Sequence, residues 1–124
     1  MDILIIDDSN FSRRIMSDLI AKYLGNINTY HAKDGEEGLE KYKSIKPDYT
    51  FIDLLMPKLN GKKLIQLINE YDPNAKIIVV TADVQKSIKE EIYSYGVMAF
   101  INKPFTEEKA KSISEIIRND QNEK

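Results

Sequence analysis

Three carboxylates, a hydroxyl and an ammonium group stand in this sequence just where apolar runs stop. Asp7 and Asp8 follow Ile3-Leu4-Ile5-Ile6, Asp53 follows Tyr49 to Ile52, Thr81 follows Ile77 to Val80, and Lys103 with Pro104 follows Met98 to Ile101. An ionised carboxylate is costly to bury unless something pairs with it, so an aspartate set between Ile52 and Leu54 needs a partner. Carboxylates gathered in one crevice repel by about 4 kcal/mol per pair at 4 Å and an effective dielectric of 20. Something positive must sit among them. All-oxygen ligands, with no thiol and the single histidine, His31, placed elsewhere, select a hard cation, and two or three carboxylates completed by water suit Mg²⁺ better than Ca²⁺. Lys103 adds a mobile positive charge. Aspartate, cation, hydroxyl and ammonium together are the parts that phosphoryl transfer to a carboxylate needs.

The elements that deliver these residues alternate in type. After the first strand, Phe11, Ile15, Leu19 and Tyr23 recur every four residues and predict one face of a helix ended by Gly25. Ile27 to His31 reads as a weaker edge strand. Asp34 with Glu37 resembles a capping box for a second helix carried by Leu39 and Tyr42 and stopped before Pro47. The third strand is Tyr49 to Ile52, and Asn60-Gly61 starts a helix with Leu64, Ile68 and Tyr71 inward, closed by Pro73. Val84, Ile88, Ile92 and Tyr95 form the inner face of a fourth helix, with Gly96 as its C′ residue. Thr106 caps the last helix, whose first turn holds Glu107 and Glu108 and whose inner face is Ala110, Ile113, Ser114 and Ile117. Strict alternation implies right-handed βαβ crossovers and an α/β fold with a parallel sheet covered on both sides, whose ligands bind outside the carboxyl ends of the strands. Residues 1–119 form one domain, and Asp120 to Lys124 read as a polar tail.

The 124 residues carry a formal net charge of -2 with both signs interspersed, which argues against a nucleic-acid surface or a polybasic membrane surface. No cysteine is present, in keeping with a reducing compartment. The N-terminus is too acidic for a signal peptide, and no apolar run approaches the roughly 20 residues of a membrane span. A cytoplasmic protein is expected.

Four segments carry a resemblance that spans nearly the whole chain: "IIDDSNFSRR", "FIDLLMPKLNG", "VVTAD" and "AFINKPF". In this order and at these separations they resemble the response-regulator receiver domain of two-component signalling, the CheY-like superfamily, in its stand-alone single-domain form. The resemblance implies a doubly wound, flavodoxin-like (βα)5 domain with strand order 2-1-3-4-5. It implies that Asp53 accepts a phosphoryl group from a histidine kinase or a histidine phosphotransfer protein. Asp7, Asp8 and Asp53 would hold Mg²⁺ with the backbone carbonyl of Leu55, Thr81 and Lys103 would bind the phosphoryl oxygens, and Phe100 would be the switch aromatic. Such a protein is not an enzyme acting on other substrates; it catalyses its own phosphorylation and dephosphorylation. With no output domain expected, it signals by binding an unidentified downstream protein, in chemotaxis or as a phosphorelay intermediate, as a monomer or a weak phosphorylation-dependent homodimer. An aspartyl-nucleophile phosphatase of the haloacid dehalogenase type is the enzyme alternative, but it wants an aspartate where this chain has Leu55.

Phe100 lacks the hydroxyl of the more usual tyrosine, and Leu55 is apolar where many relatives are polar. Leu55 and Asp83 flank the path of a hydrolytic water and are the residues expected to tune phosphate lifetime. Asp83 reads first as the N-cap of the fourth helix, and Asp8 or Ser9 as a cap of the first. Tyr93 and Ile116 lie off the core faces of the fourth and fifth helices, near Phe100, and mark the expected partner surface.

Overall fold

The computed structural model describes residues 1–83 and 85–123, so Val84, expected on the inner face of the fourth helix, and Lys124, at the end of the tail, lie outside the described residues. The elements are β1 (Asp2–Ile6), α1 (Asn10–Leu24), β2 (Asn28–Ala32), α2 (Gly35–Ile45), β3 (Tyr49–Ile52), α3 (Gly61–Tyr71), β4 (Ile77–Thr81), α4 (Lys86–Ser94), β5 (Ala99–Asn102) and α5 (Glu107–Asn122). All strand pairs are parallel, in the order β2-β1-β3-β4-β5. This is the doubly wound, flavodoxin-like arrangement, and its strand order reverses beside β1.

Alternate strand residues feed two cores. Leu4, Ile6, Ile52 and Val79 meet Leu64, Ile68 and Ile92 on the side of α2, α3 and α4. Ile3, Ile5, Phe51 and Ile78 meet Met16, Ile20, Ile113 and Ile117 of α1 and α5. Each such side chain stabilises the fold by about 1.5–3 kcal/mol when fully buried, and this two-sided burial explains why Ile3 to Ile6 of β1 are an unbroken apolar run. β2, polar and half-exposed, is the edge. No described helix is long and apolar enough to cross a membrane.

Several local expectations hold. Ser9 caps α1 by accepting the Ser12 N–H, Asp34 caps α2 through the Glu37 N–H, Asn60 caps α3, and Thr106 caps α5. Four others are corrected. On α1, Met16 and Ile20 are the apolar side chains fully buried, and Phe11 is 73% exposed. A row of residues four apart drifts roughly 40° per step around a helix of 3.6 residues per turn, so no single face holds Phe11, Ile15, Leu19 and Tyr23 together. On α3, Ile65 takes the inner place expected of Tyr71, which is exposed and meets Tyr42 edge-on. Asp83 does not cap α4: Gln85 is the N-cap residue, without a side-chain bond, and the Asp83 carboxylate instead accepts the Gln85 N–H at 3.4 Å. The tail is not free. α5 runs to Asn122, because Asp120 is held by the Tyr49 hydroxyl and by Lys76 at 3.1 Å.

Candidate functional site

The strands deliver their polar residues in register. Ile6 pairs with Ile52, and beyond that rung the Asp53 N–H donates to the Ile6 carbonyl at 3.0 Å and the Asp7 N–H to the Ala32 carbonyl at 3.1 Å. The Lys103 N–H donates to the Thr81 carbonyl at 2.9 Å. The backbone ladder therefore continues one residue past the strands and sets these side chains at one edge of the sheet. α3 starts so close behind Asp53 that a Cβ on Gly61 would lie 2.3 Å from the Asp53 carbonyl oxygen, and only glycine fits there.

At this edge the Lys103 ammonium lies 2.7 Å from Asp7 Oδ2 and 2.9 Å from Asp53 Oδ2. Burial would lower its pKa, but the hydrogen bonds to Asp7 and Asp53 and the charges of both outweigh burial and hold it above the ordinary lysine value. Asp7 also accepts the Ser9 N–H at 2.9 Å and the Ser12 hydroxyl at 2.8 Å, and Asp53 accepts the Leu55 N–H at 3.1 Å. Asp7 and Asp53 are buried and Asp8 is exposed, and one carboxylate oxygen from each lies within 4.8 Å of the others. Three carboxylates thus face one ammonium. The all-oxygen set, open to solvent through Asp8, fits a hard divalent cation that keeps some of its water.

Thr81 is fully buried at the end of β4, its hydroxyl oxygen accepting the Asp83 N–H at 3.3 Å. Phe100 is buried on β5, its ring 6.3 Å from that of Tyr93, with the Lys89 ammonium 5.7 Å from its centroid. Tyr93, Phe100, Lys109 and Ile116 share a groove of about 490 Å³, with Tyr93 and Ile116 both exposed. His31 lies half-buried on the edge strand and is not a member of the carboxylate cluster. Sequence reading overlooked Ser12, which stands inside the "IIDDSNFSRR" segment but five residues after Asp7, on a helix rather than at a strand end. Ser9 caps that turn by accepting the Ser12 N–H, and the Ser12 hydroxyl meets the carboxylate.

A family model for the response regulator receiver domain matches residues 3–115. The chain belongs to that family. It is 43% identical over 103 residues to the chemotaxis protein CheY of Thermotoga maritima, covering 83% of this chain and 85% of that one. The response regulator domain of Thermotoga maritima CheB superposes with a TM-score of 0.84 at 31% identity, covering 96% of this receiver and 94% of the other. The CheX–CheY–BeF3–Mg²⁺ complex from Borrelia burgdorferi gives a TM-score of 0.85 at 30% identity, with 95% and 87% coverage. The protein is a CheY-like receiver domain, consistent with two-component signalling.

Proposed function

We propose that this receiver is a phosphorylation-driven switch in which Asp53 takes a phosphoryl group from a histidine kinase or histidine phosphotransfer protein and a partner protein reads the result. The observation that carries the reading is Lys103 bridging Asp7 and Asp53 inside a cluster of three carboxylates. Asp7, Asp8, Asp53 and the Leu55 carbonyl would hold Mg²⁺, which when bound supplies charge neutralisation for the transferring group. The chain's own part is to present Asp53 as nucleophile and to aim Lys103 and the Thr81 hydroxyl at the phosphoryl oxygens. It turns over no other substrate. The chemotaxis protein among its relatives supports chemotaxis over a phosphorelay as the pathway. Titration of Mg²⁺ into wild type and Asp8→Asn tests the site, with binding expected to be lost or much weaker in the variant; equal affinities would remove Asp8 from it.

Leu55 holds its N–H on Asp53 and exposes its side chain at the rim of the site. An apolar group there shields a phosphoaspartate from in-line water without orienting one. Leu55→Asn should shorten the lifetime of the phosphorylated state a few-fold, read from phosphate release; an unchanged or longer lifetime would refute the shielding. Asp83, whose carboxylate is engaged among the described residues by the Gln85 N–H at 3.4 Å, is the second residue placed to hold that water.

The readout runs through Thr81. Its hydroxyl, now accepting the Asp83 N–H, would turn to the phosphoryl oxygens and free space for Phe100 to repack, shifting the population of the α4–β5–α5 face. Tyr93 and Ile116 border the groove on that face and are its exposed apolar side chains. Tyr93→Ala with Ile116→Ala should leave phosphorylation intact and weaken phosphorylation-dependent association with a partner or a second copy, measured by sedimentation. Unaffected association would place the output surface elsewhere.

A further inference from the structure

Arg13, on the first turn of α1, is a residue 8% exposed whose guanidinium has, among the described residues, two hydrogen-bond partners, both neutral. Nη1 donates to the Asp7 carbonyl oxygen, Nη2 donates to the Asn10 side-chain oxygen, and Nε has no partner among the described residues. Burying a charge on neutral acceptors alone is costly. Its place in the fold shows what the cost secures. The Asp7 carbonyl belongs to the peptide that joins Asp7 to Asp8, just past the last rung of β1, where the Asp7 N–H is fixed on Ala32. The Asp7 carboxylate is itself held by Ser9, Ser12 and Lys103. Asp8 is exposed, and among the described residues its carboxylate takes no hydrogen bond, so the point from which it reaches out is set by its backbone, which begins at the peptide that Arg13 grips.

We infer that Arg13 is a positioning residue whose forked guanidinium fixes the Asp7–Asp8 peptide and so aims the Asp8 carboxylate at a divalent cation. The inference rests on the receiver reading of the carboxylate cluster. Its sign is distinctive. A positive charge near a cation site weakens binding by repulsion, so if Arg13 acted only through its charge, removing it would tighten Mg²⁺. If it positions Asp8, removing it loosens Mg²⁺. Groups that orient metal ligands from behind are worth 10–100-fold in metal affinity when mutated, so about tenfold is expected here.

His31 reports on the charge of Arg13 in each variant. It is the single histidine of the chain, and burial, then the charges of Arg13 and Lys41, hold its pKa below the usual value. Lys41 also donates to the His31 carbonyl. The test titrates Mg²⁺ into folded wild type, Arg13→Met and Arg13→Lys by amide NMR, and follows the His31 ring signals against pH. Arg13→Met should bind Mg²⁺ about tenfold more weakly and raise the His31 pKa. Arg13→Lys keeps the charge but reaches only one of the two acceptors, so its affinity should fall between the others with the His31 pKa near wild type. Wild-type binding with equal or tighter binding by Arg13→Met overturns the inference alone. No Mg²⁺ binding by wild type overturns the receiver reading and the inference with it. Should Arg13→Met fail to fold, Arg13→Lys decides: weaker binding supports the positioning role, and unchanged binding ends it.

Discussion

Asp53→Asn should take up no phosphoryl group from acetyl phosphate, whereas wild type with Mg²⁺ takes up one. In the wild-type step an Asp53 oxygen attacks phosphorus, the bond from phosphorus to the acyl oxygen breaks, and acetate leaves with the electron pair. A neutral amide is too weak a nucleophile for that displacement. The loss should not come from unfolding. Asparagine keeps the oxygen that accepts the Leu55 N–H, removes one of three like charges, and leaves Lys103 paired with Asp7. Intact-mass spectrometry should show label at background level, while thermal unfolding stays within about 1 kcal/mol of wild type. Labelling that survives in a folded Asp53→Asn would mean that another side chain is the acceptor.

Lys103→Met should make the stability of the fold depend on divalent cation. The ammonium neutralises two carboxylates that are almost fully buried, and methionine leaves both of them, with Asp8 nearby, without a positive partner. Breaking a buried pair from one side costs about 3 kcal/mol at the low end of measured values, which is the appropriate end for a lysine 23% exposed. For a domain of this size that is roughly 10 °C in Tm. Mg²⁺ at a hundred times its dissociation constant should return about 2.7 kcal/mol, because it binds only the folded state and meets less positive charge in the variant. Phosphorylation should remain poor even then, since the donor to the phosphoryl oxygens is gone. The folded pKa of Lys103 lies above its ordinary value of 10.5, so its stabilisation is fully present below that pH and lost only as pH rises through the folded value. The gap between wild type and variant should therefore be flat across neutral pH and close in strong alkali. Equal melting temperatures without Mg²⁺ would refute the pairing.

The site could be read from the sequence because a parallel sheet buried on both faces leaves apolar runs with sharp ends, and Asp7, Asp53, Thr81 and Lys103 stand at those ends. Alternation of period gave the fold class. Strand order came from the family resemblance, since nothing in the period of β1 says which strands flank it. What could not be read depends on partners distant in the chain. The place of Asp120 inside α5 is set by Tyr49 and Lys76, and the burial of Arg13 by a carbonyl at the end of β1. Local composition shows neither. The inner face of α1 was misread for a different reason: four apolar residues at even spacing looked like one stripe, but the stripe winds around the helix, and its first member, Phe11, points to solvent.

Asp53 as the phosphoacceptor is tested most directly by trapping the bond itself. Wild type incubated with acetyl phosphate and Mg²⁺ is reduced with borohydride, which converts a phosphoaspartate to homoserine, and the residue is located by sequencing the peptides. The result expected is homoserine at position 53 alone, absent when Mg²⁺ is withheld. Homoserine at position 7 or 8, or none in a protein that binds Mg²⁺, would contradict it.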